Sequence, residues 1–285
     1  MENIMLNFKI GAIVDSFRLP FDEALDKAVE CGAAGIQMYA TAPDTVSPAK
    51  RRELLDKVKS HGLVFSALCG DLGRGFGDPE LNAHNIEVSK RIIDLAKELE
   101  TDVVTTHIGV VPADSNHERY KIMQAACHEL AEYADSINAH FAVETGPEVS
   151  EVLKHFLDSL GSRGVGVNLD PANLVMVTGD DPVKAVYNLR DYIVHTHAKD
   201  GIKLADGNPE YIYKIVHPVP AEAQNVQYFR EVPLGEGSVD FKAYLKALDD
   251  IGYHGFLTIE REVGDNPARD IKAAADFLRK TMADC

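Results

Sequence analysis

The chain alternates between two hydrophobic periods. Short runs rich in apolar and β-branched residues recur at Phe8–Val14, Gly35–Tyr39, Leu63–Leu68, Asp102–His107, His140–Glu144, Val165–Asp170, Tyr192–His197 and Phe256–Glu260. Between them lie stretches in which apolar residues return every three or four positions, the spacing that gathers them on one helix face. Phe21–Cys31 carries Phe21, Ala24, Leu25, Ala28 and Val29 in this way. Leu81–Leu99 repeats Ile86, Ile92, Ile93, Leu95, Ala96 and Leu99, and Asp240–Ile251 repeats Phe241, Tyr244, Leu245, Leu248 and Ile251. Gly32, Gly62, Gly161 and Gly252 mark helix ends, while Ser47-Pro48 and Asp181-Pro182 mark helix starts.

Eight strand-like runs, each handing over to a helix, predict a parallel sheet. At about 36 residues per unit the expected architecture is an α/β fold of the (β/α)8 TIM-barrel type, one domain over residues 1–285. The alternative is a doubly wound open sheet, but no G-x-G-x-x-G follows the first run. The longest interval separates the seventh run from the eighth and contains Pro209, Pro218, Pro220 and Pro233. It predicts a long loop over Gly201–Gly237 at the C-terminal face, where long loops are usually functional.

Composition narrows the partners. A chain of 285 residues, 45% hydrophobic and 26% charged, can bury a substantial core and is not a disordered chain. Its formal charge of −16 opposes phosphate backbones and anionic lipid. The densest basic run, Lys50-Arg51-Arg52, meets Glu53 at once, so neither a nucleic-acid nor a membrane partner is expected. No apolar stretch approaches the length of a membrane span, and Met1–Asn7 lacks a basic start followed by a long apolar core. Cys31, Cys69, Cys127 and Cys285 form no C-x-x-C pair and read as reduced thiols of a cytoplasmic protein. Barrels of this kind often associate, so a homo-oligomer stays open, though no stripe fixes a subunit number.

Reactive side chains in a barrel project where the strands end. Four consecutive runs end on metal-ligand residue types: Glu144 before Thr145-Gly146-Pro147, Asp170 before Pro171, His197 before Ala198-Lys199-Asp200-Gly201, and Glu260 before Arg261-Glu262. With Val143, Leu169 and Ile259 facing outward, the period of two turns Glu144, Asp170 and Glu260 into the barrel. Taken singly, each carboxylate reads as a helix N-cap or an ion-pair partner. Taken together, three carboxylates converging on one mouth would repel unless a divalent cation joined them, with the imidazole as fourth ligand. This oxygen-rich set suits Mn²⁺ first, with Mg²⁺, Co²⁺ or Zn²⁺ as alternatives.

The order of these residues, with His197-Ala198-Lys199-Asp200 reading H-x-K-D, resembles the xylose isomerase-like TIM-barrel superfamily of sugar and sugar-phosphate isomerases and epimerases, to which family 2 abasic-site endonucleases are related. Gly235-Glu236-Gly237, Val239-Asp240-Phe241 and Gly252-Tyr253-His254-Gly255 are similar to the closing segment of the same group, so the resemblance spans nearly the whole chain. It implies that Glu144, Asp170, His197 and Glu260 bind the metal, and that Glu144 and Glu260 are the catalytic pair that removes and returns a proton on opposite faces of the sugar. It also implies that His107 is a pocket histidine; its other reading is a hydrogen-bonded interior histidine. Lys199 shares the parity of His197 and either polarises a substrate oxygen or is a surface lysine. The ketose 3-epimerases carry a histidine three residues after the aspartate ligand where this chain has Asn173, so their chemistry does not transfer unchanged.

Weaker features complete the reading. Gln37 and Tyr39 close the second run and either contact sugar hydroxyls or pack. Glu236 either enters the pocket from the long loop as a substrate contact or reflects turn chemistry. Arg74, in the glycine-rich segment Gly70–Gly77, either grips an anionic group or lies in a surface loop, and His195 is expected one pleat below His197. The expected activity is divalent-metal-dependent isomerisation or epimerisation of a sugar or sugar phosphate, by proton abstraction next to a carbonyl. The alternative is a metal-dependent lyase or dehydratase acting on a sugar-derived or oxidised-glycoside substrate. A sugar-binding barrel without catalysis and an abasic-site endonuclease are the remaining readings.

Overall fold

The eight runs close into a ring. The computed structural model describes residues 6–40, 47–73, 75–216 and 218–285. The barrel strands are β1 (Lys9–Ile13), β2 (Gly35–Tyr39), β3 (Val64–Cys69), β4 (Val103–Thr106), β5 (His140–Glu144), β6 (Val165–Leu169), β7 (Ile193–Ala198) and β10 (Phe256–Ile259). Their order around the closed barrel is β1-β10-β7-β6-β5-β4-β3-β2, and every pairing is parallel. Closure leaves no exposed sheet edge among these strands and packs side chains inside the ring.

Around the barrel run α1 (Phe21–Glu30), α2 (Pro48–Ser60), α3 (Pro79–Glu98), α4 (Glu118–Ser136), α5 (Ser150–Asp158), the single turn α6 (Pro171–Asn173), α7 (Pro182–Leu189), the short α8 (Pro209–Ile212), α9 (Phe241–Asp250) and α10 (Pro267–Ala283). The apolar faces read from sequence are buried in α3 and α9, whereas Val29, expected on the inner face of the first helix, is exposed. Helix starts follow local chemistry. Asp78 accepts the Glu80 N–H and Asp181 the Val183 N–H, both at 2.9 Å, and in each case proline fills the first helical position. Such caps contribute on the order of 1 kcal/mol each.

The segment after β7 is more structured than the expected loop. Asp200–Lys203 forms β8, which pairs antiparallel with β9 (Phe229–Val232), and α8 lies between them. These strands are four residues each, too short for their alternation to stand out from the surrounding prolines and glycines. The base of the hairpin is tied by the Asp200 carboxylate, which accepts backbone N–H groups from Gly201, Gly235, Gly237 and Val239 at 2.8–3.2 Å. A Cβ on Gly237 would stand 2.0 Å from Asp200 Oδ1, so the approach that makes this hydrogen bond requires glycine.

Candidate active site

The parity read from sequence holds. Val143, Leu169 and Ile259 are buried in the main apolar core. Glu144, Asp170, His197 and Glu260, also buried, each offer one ligand atom within 4.8 Å of the others. Nδ1 of His197 is the hub, 3.5 Å from Glu144 Oε1, 3.4 Å from Asp170 Oδ2 and 3.3 Å from Glu260 Oε2.

Asp170 supplies the test of fit for a cation. Its Oδ1 accepts the Asn173 N–H at 2.8 Å, capping α6, whereas its Oδ2 is buried without a hydrogen-bond donor. A buried carboxylate oxygen left so costs free energy unless a cation meets it. His197 is prepared on the far side of its ring, where Nε2 lies 3.1 Å from Gln37 Oε1. Gln37 Nε2 in turn donates to Thr105 Oγ1 at 3.0 Å. With Nε2–H given to Gln37, Nδ1 faces the carboxylates, the orientation in which its lone pair would meet an ion once its proton has left. The residues present therefore fit a divalent ion with oxygen-rich ligation.

The electrostatics of the bare cluster agree. Burial pushes the Asp170 carboxyl above its ordinary range. Burial also opposes ionisation of Glu260, but Lys199 and then His197 hold it well below the usual carboxylate range. Glu144 is lowered against its burial by His107 and His197. Against the same desolvation, Glu144 and Glu260 raise the His197 imidazole well above its ordinary value, a proton taking the place of a cation among the acids.

Below the cluster lies a polar layer. Asn168 Oδ1 is 2.8 Å from His195 Nδ1, and His195 Nε2 is 2.9 Å from Thr258 Oγ1. His195 thus sits one pleat beneath His197, and burial holds it neutral, well below its ordinary pKa. Asn168 Nδ2 and Asn173 Nδ2 donate to the two oxygens of Glu144 at 3.2 and 3.1 Å. These amides fix the carboxylate plane and stabilise its ionised form.

Above the cluster opens a cavity of about 230 Å³. Its lining includes Gln37, His107, Lys199, Asp71, Glu231, Glu262, Asn173 and Tyr213 together with the ligands Glu144, His197 and Glu260. Lys199 is a buried residue, not a surface one, and its Nζ donates to Glu260 Oε2 at 2.9 Å and to Glu262 Oε2 at 2.5 Å. His107 faces the cavity, with Nδ1 3.1 Å from Asp71 Oδ2 and Nε2 3.6 Å from Glu144 Oε1. Burial opposes its charge, yet Glu144 and Asp71 outweigh it and push the imidazole up to about 9.

Two expectations change. Glu236 is exposed and absent from the cavity lining; its backbone bridges the two glycines that bind Asp200, so turn chemistry accounts for the motif. Gln37 reaches the cavity, but both ends of its amide are engaged, by Thr105 and His197, so it orients the imidazole. Arg74 lies outside the described residues. Sequence reasoning missed Asp71, Asn168, Glu231 and Glu262. Glu231 was recoverable from parity, since it shares a face of β9 with Phe229 and both line the cavity.

A model of the xylose isomerase-like TIM barrel matches residues 25–281. Inosose dehydratase of Clostridium botulinum is 24% identical over 268 residues, covering 89% of this chain and 86% of that protein. L-ribulose-5-phosphate 3-epimerase of Escherichia coli is 23% identical over 248 residues, covering 83% and 79%. The crystal structure of a xylose isomerase domain protein from Planctomyces limnophilus superposes with a TM-score of 0.79 over 100% of both chains, at 24% identity.

Proposed function

The chain belongs to the xylose isomerase-like TIM-barrel family, and from that premise we propose that it is a divalent-metal-dependent isomerase or epimerase of a sugar or related polyol, working by proton abstraction beside a carbonyl. The observation that carries this reading is the placement of Glu144 and Glu260 on one buried cluster, from strands β5 and β10 that two other strands separate around the ring. Two carboxylates on different sides of one cavity suit removal and return of a proton on opposite faces of a carbon.

Glu144, Asp170, His197 and Glu260 would hold the cation, with Mn²⁺ the first choice for this mixed set. When bound, it supplies Lewis-acid stabilisation of the charge that develops on the carbonyl oxygen. The chain's own groups do the rest. Glu144, its plane fixed by Asn168 and Asn173, is the better placed base, because Lys199 ties Glu260 more tightly into its ionised form. Lys199 also stands where a substrate oxygen would gain a positive neighbour. Tyr213 and Phe229 line the cavity, where their rings would limit water around the reacting carbon.

A second reading, dehydration, is favoured by the His107–Asp71 pair. A carboxylate-oriented imidazole beside the cavity can give a proton to a departing hydroxyl, a step that epimerisation does not need. The similarity to inosose dehydratase points the same way.

Protein loaded with Mn²⁺ in D2O and offered a panel of keto-sugars, ketocyclitols and their phosphates distinguishes these readings. Deuterium entering a recovered sugar of otherwise unchanged composition supports isomerisation or epimerisation, and loss of water supports dehydration. Absence of both exchange and loss of water with every panel member, in a preparation whose fold is verified by circular dichroism, would refute both readings.

A further inference from the structure

Among the described residues, the cavity offers an anion no uncommitted positive charge. Among its described lining residues Asp71, Glu144, Glu231, Glu260 and Glu262 are acidic, and Lys199 is the one lysine or arginine. The Lys199 ammonium is already shared between Glu260 and Glu262. The two nitrogens of His107 face Asp71 and Glu144. Behind the wall, Arg261 Nη1 donates to Glu231 Oε1 at 2.6 Å and its Nε to Asp270 Oδ2 at 3.2 Å. A divalent ion in the cluster would answer Glu144, Asp170 and Glu260 and leave no surplus for a further anion. Arg119 and Lys214 line an adjoining groove of about 740 Å³ that shares just Tyr213 with the cavity. There Arg119 is paired with Glu210 and Asp78 lines the same wall, and Lys214, which forms no ion pair among the described residues, stands in that groove and not in the cavity.

Sites that take phosphate or carboxylate groups present free guanidinium, ammonium or helix N-terminal N–H groups to them. Here each such cation among the described residues at the cavity is matched by acid, and the wall also carries an apolar part, Ile13, Met176, Val177, Ile212 and Phe229. That combination suits the C–H face of a ring or chain of carbinols, whose hydroxyls can bond to carboxylates. Resting on the proton-abstraction reading above, we propose that the substrate is an uncharged keto-polyol or keto-sugar, and that Glu231 and Glu262 exclude its phosphorylated or carboxylated analogues. Discrimination of this kind comes from placed repulsion as much as from attraction.

The test is titration calorimetry on the full chain loaded with Mn²⁺, using matched pairs of uncharged keto-sugars or ketocyclitols and their monophosphates, with inorganic phosphate as a separate probe. The uncharged member of a pair should bind at least about tenfold more tightly, and inorganic phosphate should give no binding heat. Glu262→Gln, which leaves Lys199 with one acidic partner fewer, should narrow the ratio by about threefold or more. Tighter binding of the phosphorylated member, saturable binding of inorganic phosphate, or binding of neither member of any pair overturns the proposal. So does a ratio unmoved by both Glu231→Gln and Glu262→Gln in variants that keep the parent melting temperature. Failure of the proton-abstraction reading looks different: an uncharged sugar binds but its C–H never exchanges with solvent.

Discussion

Oδ2 of Asp170 lies 3.4 Å from Nδ1 of His197, buried and without a donor, while Oδ1 of the same carboxylate caps the turn at Asn173. One side chain thereby serves as helix cap and candidate ligand together. The cap fixes the carboxylate rotamer, and the fixed rotamer aims the second oxygen at the cluster. Local backbone chemistry and the site are linked through one residue.

Cation binding should stabilise the fold, because the donors converge in the native state and not in the unfolded chain. At a free-ion concentration about a hundredfold above Kd the gain is about 2.7 kcal/mol. For a chain of this size that corresponds to a rise in Tm of about 5 °C. Scanning calorimetry with and without Mn²⁺, Mg²⁺, Co²⁺ or Zn²⁺ measures it, and Asp170→Asn should abolish most of the shift. A melting curve indifferent to all four ions would refute the metal assignment.

The barrel and its cluster were legible because both are written in local periodicity. A run such as His140–Glu144 matches its strand residue for residue, and parity alone aimed Glu144 inward. What sequence could not give was pairing between distant segments. Glu231 meets Arg261, and Asp71 meets His107, across 30 and 36 positions of chain, and no local period records such a contact. Glu236 misled for the opposite reason. The two glycines around it serve Asp200, so the charged residue between them reads as functional while pointing to solvent.

Gln37 should control metal affinity without touching the ion. Gln37→Leu removes the acceptor of His197 Nε2 and the donor to Thr105. Partners of this kind typically change affinity by about 10–100-fold. Competition titration with a chromogenic chelator reads the effect directly. Parent-like affinity in a folded Gln37→Leu protein would mean that the ring is held by packing alone.

Gly237→Ala should loosen the β8–β9 hairpin. The added Cβ would collide with Asp200 Oδ1, and its relief breaks the set of N–H groups gathered on that carboxylate. Overpacking of this sort costs about 1–3 kcal/mol. Hydrogen exchange should accelerate over Asp200–Lys203 and Phe229–Val232 while the barrel strands stay protected. Uniform protection across both would show that the carboxylate is not the anchor.

Glu148 should make stability fall as pH rises. Its side chain is buried, Oε2 accepts the Val111 N–H at 3.3 Å, and Oε1 has no partner. Burial raises the carboxyl to about 8, against the Val111 hydrogen bond and His107, which act to lower it. The folded protein therefore keeps this proton through a range in which the unfolded chain, with an ordinary glutamate, has released it. Below about pH 4.5 the group is protonated in both states and its contribution to stability is fully present. Between there and about pH 8 each unit removes up to about 1.4 kcal/mol, and above that the loss is complete. Glu148→Gln keeps an acceptor for Val111 and has no proton to lose. Its Tm should match the parent near about pH 5 and exceed it by several degrees near about pH 9. Comparing the two proteins at each pH cancels the titration of every other group, so a difference that stays flat from acid to alkali would show that Glu148 ionises freely in the fold.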